Sequence, residues 1–293
     1  MKLLDGKALS AQIKEEIAQQ VSKIKAAAGN VPHLAAVLVG DDPASQSYVR
    51  SKVNSCHQCG FESTLIKKDD SISEAELLDI VEDLNTNPDI DGFIVQLPLP
   101  KHIDESKVTL AINHRKDVDG FHPINVGRMA QGMPSYLPAT PFGILQMLER
   151  EEIETSGKHC VVVGRSNIVG TPISILLSRK AYPGNCTVTL THSRTKDIGA
   201  VIREGDIVIA AIGIPNFIDK TMIKEGAVVI DVGINRVDDV TRKRGYRLVG
   251  DVDFDNVAEK CSYITPVPGG VGPMTVTSLL MNTLKASQKE IYD

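Results

Sequence analysis

The chain has 293 residues, of which 42% are hydrophobic and 24% are charged, and its formal net charge at pH 7 is -5. This length and ordinary composition predict a globular protein of two domains, because a single core rarely serves so long a chain. The acidic balance argues against a nucleic-acid partner, which needs a basic excess to neutralise phosphates. No apolar run reaches the roughly 20 residues of a membrane span.

The cysteines predict a reducing compartment. There are five of them, an odd number, and they follow no disulfide-framework spacing. The start of the chain has too short an apolar segment for a secretory signal, so we expect a cytoplasmic protein. Cys56 and Cys59 match C-x-x-C, which leaves a metal or redox site open, but both lie near the end of a predicted helix rather than at its N-terminus. We therefore expect two reduced thiols near a core, and no metal site.

The first half of the chain alternates helical periodicity with short apolar strands. The predicted elements are, in order, a helix over Lys7–Ala28, a strand over Leu34–Val39, a helix over Ala44–Cys59, a strand over Ser63–Lys67, a helix over Glu74–Leu84 and an apolar run over Gly92–Leu97. Such alternation predicts right-handed crossovers and a mostly parallel sheet. The stretch Asp117–Thr140 is rich in glycine, proline and polar residues, and we expect it to be irregular.

The second half repeats this alternation after a helix that is predicted to join two lobes. Its elements are that helix (Phe142–Arg150), strands over Cys160–Val163, Thr187–Thr191, Ile207–Ala211 and Val228–Val232, helices near Thr171–Lys180 and Lys196–Arg203, and a last helix over Thr275–Ser287. We expect an α/β fold of two domains with a cleft between them. The first is an N-terminal α/β lobe of residues 1–140 with the C-terminal helix 274–293, and the second is a Rossmann-like, doubly wound lobe of residues 141–273.

The segment Lys158–Pro172 has the form of a nucleotide-binding strand-to-helix turn, but it reads KHCVVVGRSNIVGTP and lacks the usual G-x-G-x-x-G spacing. Gly164 fits the first position, where a tight turn is needed. Ser166 stands at the second, where the backbone must approach a pyrophosphate. A helix beginning at Gly170–Pro172 would present unpaired N–H groups to an anion. An ordinary strand-to-helix turn remains the alternative.

The end of the following strand indicates which dinucleotide this turn would bind. NAD sites place a carboxylate about 20 residues after the turn to accept the ribose hydroxyls. Here the strand Thr187–Thr191 is followed by His192-Ser193-Arg194-Thr195. A cationic, hydroxyl-bearing strand end suits a 2′-phosphate, and Arg165 could add charge to the same pocket. Each residue alone could be a surface residue, but together they favour NADP over NAD.

Tyr48 and Lys52 form the pair in the first lobe whose spacing suggests chemistry. Four residues apart on a helix, they share one face. An ammonium beside a phenol ring in a cleft can have its pKa lowered and take part in proton transfer. A surface aromatic–lysine pair is the alternative. Y-x-x-x-K is also the catalytic pair of short-chain dehydrogenases, but there it follows the glycine-rich turn, and the reversed order here indicates a coincidence.

Three further stretches carry a resemblance to a known family. They are Val95–Pro100 (VQLPLP), Lys116–Phe121 (KDVDGF) and Pro268–Thr275 (PGGVGPMT). Together with YVRSK and VVGRSNIVG, and in this order, they closely resemble the bifunctional methylenetetrahydrofolate dehydrogenase/methenyltetrahydrofolate cyclohydrolase family over nearly the whole chain. The resemblance implies two reactions at one site. A hydride passes from 5,10-methylenetetrahydrofolate to NADP, and the methenyl product is then hydrolysed to 10-formyltetrahydrofolate.

The resemblance also implies roles for four residues of the first lobe. Lys52 is the catalytic lysine, needed above all for the hydrolysis, and Gln96 hydrogen-bonds it. Tyr48 stacks on the aminobenzoyl ring of the folate, and Asp119 accepts the N–H donors of the pterin, which a carboxylate binds well. A methenyl cation would be repelled by a fixed ammonium, so a lysine that can be neutral is useful beside it. Considered alone, Asp119 could be a capping carboxylate and Gln96 a satisfied strand-end amide.

In the second lobe the resemblance assigns cofactor and substrate contacts. The cofactor residues are Gly164, Arg165, Ser166, Ser193 and Ile234, and the substrate residues beside those of the first lobe are Pro268, Gly269 and Gly270. The glycines of PGGVGPMT, with Gly272, should let the backbone pass close to the ligand or the other lobe, or they form a hinge. Pro273 is expected to precede the last helix.

Three departures from the family pattern bear on these assignments. Ala139 stands where many members have cysteine, so a thiol there is not essential. Ile214 replaces a basic residue near the cofactor, which weakens the expectation of NADP. The stretch Ala181–Gly184 looks like a short insertion and makes the alignment of Ser193 less secure.

The sequence thus predicts an enzyme with tetrahydrofolate derivatives as substrates and NADP as cofactor, and the resemblance implies a homodimer. Neither a nucleic acid nor a membrane is expected as partner. An amino-acid or shikimate-type dehydrogenase would share the two-lobed pattern, but it would not need VQLPLP or PGGVGPMT. A catalytically silent NADP- or folate-binding module is the other alternative. The intact set of Tyr48, Lys52, Gln96 and Asp119 argues against it.

Overall fold

The structure, a computed structural model, describes residues 1–242 and 244–292. Lys243 and Asp293, which the sequence prediction places in the second and first lobes, lie outside the described residues. The chain divides into two compact units. The three-stranded unit comprises Ala11–Ala139 and Val276–Asp293, and the six-stranded unit comprises Met1–Ser10 and Thr140–Thr275.

Strands and helices alternate along most of the chain. The strands of the described residues are β1 (Lys2–Leu3), β2 (His33–Val39), β3 (Glu62–Lys68), β4 (Gly92–Val95), β5 (His159–Val163), β6 (Thr187–Thr191), β7 (Ile207–Ala210), β8 (Val228–Asp231), β9 (Asn235–Asp238), β10 (Tyr246–Val249) and β11 (Tyr263–Ile264). The α-helices in the same residues are α1 (Gly6–Ala26), α2 (Pro43–Cys59), α3 (Glu74–Thr86), α4 (Glu105–Ala111), α5 (Pro123–Ala130), α6 (Ala139–Arg150), α7 (Gly170–Ser178), α8 (Ile198–Arg203), α9 (Phe254–Val257) and α10 (Val271–Ser287).

The sheet of the three-stranded unit is parallel, with β2 in the centre, β3 on one side and β4 on the other. Strand β2 is an almost continuous buried apolar run, as expected of a parallel strand covered on both faces. Its side chains contribute Val37 to a core that also contains Phe93 of β4 and Leu77 and Val81 of α3. Edge strand β3 is half-buried to exposed instead.

Helix α2 carries two of the predicted site residues, and local chemistry sets both of its ends. The Asp42 carboxylate accepts a backbone N–H of the first turn at 2.7 Å. Pro43 follows it in the first turn, where its missing N–H costs no hydrogen bond. Gly60 ends the helix because it adopts a φ of 78°, and its N–H bonds back to the last-turn carbonyls. Tyr48 and Lys52 therefore lie within a regular helix.

The sheet of the six-stranded unit is also parallel, in the order β1-β11-β8-β7-β5-β6. The chain leaves β5 for β6 on one side and then continues to β7 and β8 on the other. The strand order therefore reverses between β5 and β7, and open α/β sheets bind ligands outside the carboxyl ends of the strands at such a point. Val161, Val208 and Val229 of these strands lie in one buried core.

The first ten residues differ from the predicted lobe boundary. They cluster with the six-stranded unit, whereas the sequence prediction placed them in the first lobe. The cause is the pairing of β1 with β11, Lys2 with Tyr263 and Leu3 with Ile264. A two-residue strand is too short to show a periodic pattern, so it could not be predicted from the sequence.

The stretch predicted to be irregular contains a helix, so that prediction is wrong for Pro123–Ala130. His122 caps α5 by accepting the N–H of Ile124 on Nδ1 at 3.1 Å, a capping residue outside the usual set. Helix α4 and the antiparallel hairpin of β9 and β10 were also missed. Helix α10 begins at Val271, so Pro273 lies in its first turn and does not precede it. Among the described helices none is both long and apolar enough to span a membrane.

Candidate active site

Lys52 and Gln96 meet at the carboxyl edge of the three-stranded sheet. Lys52 Nζ donates a hydrogen bond of 3.2 Å to Gln96 Oε1. Gln96 directly follows β4, and its backbone N–H donates to the carbonyl of Val37 in β2 at 2.9 Å. Its Nε2 donates to the Leu97 carbonyl at 2.6 Å. This bond orients the amide so that its oxygen faces Lys52.

The side chain of Lys52 is buried, with only 5% of the residue exposed. Its Nζ lies 5.0 Å from the centre of the Tyr48 ring, so the two side chains share one face of α2 as their spacing predicts. The alternative of a surface lysine is wrong. Burial lowers the pKa of Lys52, and the nearby Asp119 carboxylate opposes that shift. Lys52 therefore loses its proton more readily than an exposed lysine does.

Asp119 lies at the same edge of the sheet as Gln96. Its segment runs beside β4, where the Phe93 N–H donates to the Lys116 carbonyl at 3.0 Å and Phe93 pairs with Asp117 in a parallel bridge. Burial raises the pKa of Asp119, and the Lys52 ammonium opposes that rise. Burial thus favours the neutral form of both groups, while their mutual attraction favours the charged forms.

Asp117, two residues earlier, is a structural carboxylate that sequence reasoning passed over. It is 3% exposed and accepts the backbone N–H of His122 at 2.7 Å and Asn125 Nδ2 at 2.9 Å. Burial raises its pKa to about 7. The capping role that the sequence leaves open for Asp119 is therefore filled by Asp117, which ties the KDVDG segment to the start of α5.

The turn after β5 explains Gly164. This residue has a φ of 112°, and a Cβ built on it would lie 2.2 Å from the carbonyl oxygen of Ala211. Only glycine fits this close approach between the ends of β5 and β7. Its N–H donates to the Thr191 carbonyl at the end of β6. This bond joins the carboxyl ends of the parallel strands β5 and β6, and the exposed residues Arg165 and Ser193 follow those two strand ends.

The N-terminus of α7 differs from the prediction. The N–H groups of Val169 and Gly170 donate to Ser166 Oγ at 3.2 and 3.3 Å, and the N–H of Thr171 donates to the Ser166 carbonyl at 3.0 Å. The expectation of unpaired N–H groups is therefore wrong for Gly170 and Thr171. Ser166, at the second position of the turn, was expected to leave room for a pyrophosphate. In the structure its hydroxyl accepts hydrogen bonds that shape the loop.

Ile234 lies exposed after β8, in a loop that a buried aspartate holds. Asp231 ends the strand and accepts the N–H groups of Gly233, Asp251 and Val252 at 2.9, 3.0 and 2.9 Å. Burial raises the pKa of Asp231 to about 7, and repulsion from Asp251 adds to the rise. Sequence reasoning missed this residue, although an aspartate that closes an apolar strand was the available signal.

Asp251 supports the neighbouring loop in the same way. Its Oδ2 accepts the N–H groups of Ile212 and Gly213 at 2.7 and 3.0 Å, and its Oδ1 accepts Asn235 Nδ2 at 2.9 Å. The residue is fully buried. Two aspartates thus fix the loops that follow β7 and β8, and both were absent from the predicted site.

The segment Pro268–Gly270 follows β11 at the same edge. Gly269 has a φ of 110°, which favours glycine, and its carbonyl accepts the Lys7 N–H at 2.9 Å. A Cβ on Gly270 would lie 2.6 Å from the Pro266 carbonyl oxygen. The expected need for glycine does not extend to Gly272, where a Cβ would meet only Ile234 Cδ1 at an ordinary 3.4 Å.

The C-x-x-C pair is buried at the C-terminal end of α2. Burial raises the pKa of Cys56 to about 12 and that of Cys59 to about 11. Protonated thiols are poor nucleophiles and poor metal ligands. In residues 1–242 and 244–292, no group of three or more histidine, cysteine and carboxylate side chains is placed to hold a metal ion.

Two family models match the chain. The catalytic domain of tetrahydrofolate dehydrogenase/cyclohydrolase matches residues 4–119, and the NAD(P)-binding domain of the same family matches residues 138–291. The chain belongs to the tetrahydrofolate dehydrogenase/cyclohydrolase family. Membership confirms the resemblance carried by the motifs and the α/β class with a Rossmann-like domain. It also decides against an amino-acid or shikimate-type dehydrogenase.

Individual relatives support this assignment to the tetrahydrofolate dehydrogenase/cyclohydrolase family. The chain is 61% identical to the bifunctional protein FolD of Bacteroides thetaiotaomicron over 292 residues, which cover 100% of both chains. It is similar to the solved bifunctional enzyme FolD of Campylobacter jejuni, with a TM-score of 0.92, 45% identity and 99% of each chain covered. The Trypanosoma brucei enzyme, solved with NADP and an inhibitor, is also similar, with a TM-score of 0.92, 37% identity and coverage of 99% of this chain and 98% of that one.

Proposed function

We propose that the protein oxidises 5,10-methylenetetrahydrofolate with NADP and hydrolyses the methenyl product to 10-formyltetrahydrofolate. The observation that carries the chemistry is the buried Lys52 Nζ, hydrogen-bonded to Gln96 and 5.0 Å from the centre of the Tyr48 ring. Family membership supports both activities, and the relative solved with NADP supports the cofactor.

The hydrolysis needs a base that does not repel a cation. Neutral Lys52 accepts a proton from water as the water oxygen bonds to the methenyl carbon. The same nitrogen then returns that proton to N5 of the folate as the bond between the carbon and N5 breaks. The remaining hydroxyl proton leaves to solvent, so one proton is released for each cation hydrolysed. Gln96 holds Lys52 in place through its oriented oxygen without adding charge.

The other proposed contacts of the three-stranded unit orient the substrate. Tyr48 supplies an aromatic face for the aminobenzoyl ring. Asp119 supplies a carboxylate for the pterin N–H donors, and binding those donors would offset the cost of its burial. Pro268, Gly269 and Gly270 of the six-stranded unit are proposed to contact the folate through their backbone.

The edge of the six-stranded sheet fits a dinucleotide that carries an additional phosphate. The close approach at Gly164 places the turn against β7, and Arg165, Ser166 and Ser193 provide a cation and hydroxyls beside it. Ile234 offers an exposed apolar surface on a loop that Asp231 holds. When bound there, NADP would supply the hydride acceptor for the oxidation.

One assay tests the function. The protein is mixed with 5,10-methylenetetrahydrofolate and either NADP or NAD, and methenyl absorbance is followed as it rises and decays. We expect a rise that depends on the cofactor, a faster reaction with NADP, and a decay faster than the spontaneous hydrolysis. A protein that binds both ligands and produces no methenyl compound would be the silent module instead.

We further propose that the protein is a homodimer and works in the cytoplasm. The resemblance to the family supports the dimer. The five cysteines, all free and buried, support a reducing compartment. Sedimentation should give a mass near twice the 31.7 kDa of one chain. Cell fractionation tests the compartment, and recovery of the protein from an oxidising compartment with its thiols paired would contradict it.

A further inference from the structure

We propose that Asn282, on α10, is a positioning residue that holds Asp119 in place for the folate. The proposal rests on the proposed function of Asp119. Asn282 is only 1% exposed. Its Nδ2 donates two hydrogen bonds, to the Val118 carbonyl at 2.8 Å and to the Leu137 carbonyl at 2.9 Å. One side-chain nitrogen thus joins two segments, one of which carries Asp119.

These two segments are already in close contact beside Asp119. The Asp119 carbonyl accepts the N–H of Ala139 at 3.2 Å. Gly120 has a φ of 76°, and a Cβ on it would lie 2.6 Å from the backbone of Leu137 and Pro138. Asn282 closes this contact at the residue before Asp119, so the backbone is held on both sides of the carboxylate.

The other side of the segment is held by packing against β4. A Cβ on Gly92 would lie 2.3 Å from Val118 Cγ1, so the Val118 side chain fills the space above that strand. The segment therefore has apolar contact on one side and the Asn282 hydrogen bonds on the other. Removal of the amide would leave two buried carbonyls without this donor, and such groups shift toward other donors when they can.

A small shift of Asp119 has a specific consequence. The carboxylate must meet N–H groups at fixed positions on a rigid pterin, and a displacement of about 1 Å in such a contact can cost a hundredfold in activity. The Asn282 amide lies 164 residues from Val118 in sequence. The two carbonyls satisfy its buried Nδ2 group.

The test compares Asn282→Leu with Thr283→Val. Thr283 is the next residue on α10, is equally buried, and donates its hydroxyl to the Leu279 carbonyl one turn earlier, at 2.8 Å. The control variant therefore removes a buried hydrogen bond from the same helix without touching the Asp119 segment. Calorimetry with tetrahydrofolate should show binding weakened about tenfold or more in Asn282→Leu. NADP binding should be unchanged in both variants. Thr283→Val should keep normal folate binding, although its melting temperature should be similar to that of Asn282→Leu.

A double-mutant cycle with Asp119→Ala separates this proposal from the role of Asp119. If Asn282 acts through Asp119, Asn282→Leu should weaken folate binding little further once Asp119 is alanine. Equal losses in both backgrounds, or equal folate affinities for Asn282→Leu and Thr283→Val, would overturn the positioning role alone. Unchanged folate binding in Asp119→Ala would overturn both roles. If the leucine variant does not fold, Asn282→Ser, which keeps one donor, enters the same cycle with the same criteria.

Discussion

The three-stranded unit and the β5–β7 part of the six-stranded unit have the same topology and different chemistry. In each, the first strand is central, the second pairs on one side and the third on the other, with the order β3-β2-β4 in one and β6-β5-β7 in the other. Both units therefore offer a reversal point at the carboxyl edge of the sheet, where parallel sheets place ligands.

The amino edges of the two sheets are also built alike. His33 opens β2, donates its N–H to Asp91 Oδ2 at 2.8 Å, and contacts a threonine hydroxyl on β3 through Nε2 at 2.9 Å. His159 opens β5, donates its N–H to Asp206 Oδ2 at 2.9 Å, and contacts a threonine hydroxyl on β6 at 2.8 Å. The likeness ends at the loops between the central strands and the helices that follow them, α2 and α7.

The loops after the central strands explain the difference. In the three-stranded unit, Asp41 and Asp42 follow β2, and the Asp42 carboxylate caps α2, where backbone N–H bonds lower its pKa. An anion is repelled there, and the proposed site lies at the middle of the helix, at Lys52. After β5, Arg165 and the Ser166 hydroxyl take these places, so negative phosphate is tolerated. In the proposed function, the residues of a single loop thus distinguish the ligands of two units that share a topology.

The largest effect should come from Lys52→Met. Loss of a positioned proton acceptor typically costs about 10²- to 10⁴-fold in rate, so methenyl hydrolysis should fall nearly to its spontaneous rate while folate still binds. Stopped-flow absorbance measures the rate, and calorimetry measures folate binding. Lys14→Met is the matched control, because burial also lowers the pKa of Lys14, which donates to Ser55 away from Gln96. Full hydrolysis in Lys52→Met would remove the proposed base.

The pH dependence of stability should reveal one buried aspartate in each unit. Asp117 and Asp231 ionise near 3.8 when unfolded and have a pKa of about 7 when folded. Between these pH values the folded state holds a proton that the unfolded state has released. The free energy of unfolding should therefore fall as pH rises from about 4 to about 7, by about 4 kcal/mol for each group, and then level off.

Denaturant titrations at pH 5 and pH 8 measure this slope. Asp117→Asn and Asp231→Asn should each reduce the fall in stability over that interval. Asp206→Asn serves as control, since a lysine contact holds the pKa of Asp206 below its ordinary value and its titration is complete below pH 5. A slope that neither variant changes would mean that other groups set the pH dependence.

Asp119→Ala should separate the two units functionally. Loss of a charge-assisted hydrogen bond costs about 1.5–3 kcal/mol, so tetrahydrofolate should bind about 10- to 100-fold more weakly. NADP binding should not change, because the proposed cofactor residues lie in the other unit. Calorimetry with each ligand alone gives both affinities. An equal loss of affinity for tetrahydrofolate and for NADP would contradict the assignment of the two ligands to different units.

The strands were predictable because continuous apolar runs between breakers allow few alternatives. The prediction for β6 matches the structure at both ends, and that for β2 is one residue short. Helix α5 was missed because histidine is outside the usual set of N-capping residues, and strand β1 was missed because its two-residue pairing is a tertiary contact. Local pattern therefore predicts the long elements, whereas a strand as short as β1 is set by a partner distant in sequence.

The candidate site divides in the same way. The spacing of Tyr48 and Lys52 predicted a shared helix face, and the structure confirms it. Lys52 and Gln96 are 44 residues apart in sequence, and the parallel pairing of β2 with β4 brings them into contact. Only the family resemblance suggested this contact. Asp251 and Asn282 were missed because a polar residue beside an apolar run looks like a solvent-facing one. The hydrogen bonds from Ile212 and Gly213 to Asp251 span 39 and 38 residues, and the bond from Asn282 to Val118 spans 164.

The smallest effect expected is that of Arg165→Ala. Arg165 is exposed after Gly164, and an exposed ion pair contributes about 0.2–1 kcal/mol. NADP should therefore bind only several-fold more weakly, while NAD, which lacks the 2′-phosphate, should be unaffected. Arg194→Ala, in the loop after β6, should weaken NADP binding in the same way. Arg236→Ala is the control, because the Arg236 guanidinium lies over the Tyr246 ring. If Arg165→Ala weakens the binding of NADP and of NAD equally, this arginine contacts a part common to both cofactors. The charge difference between the two loops would then not select the 2′-phosphate.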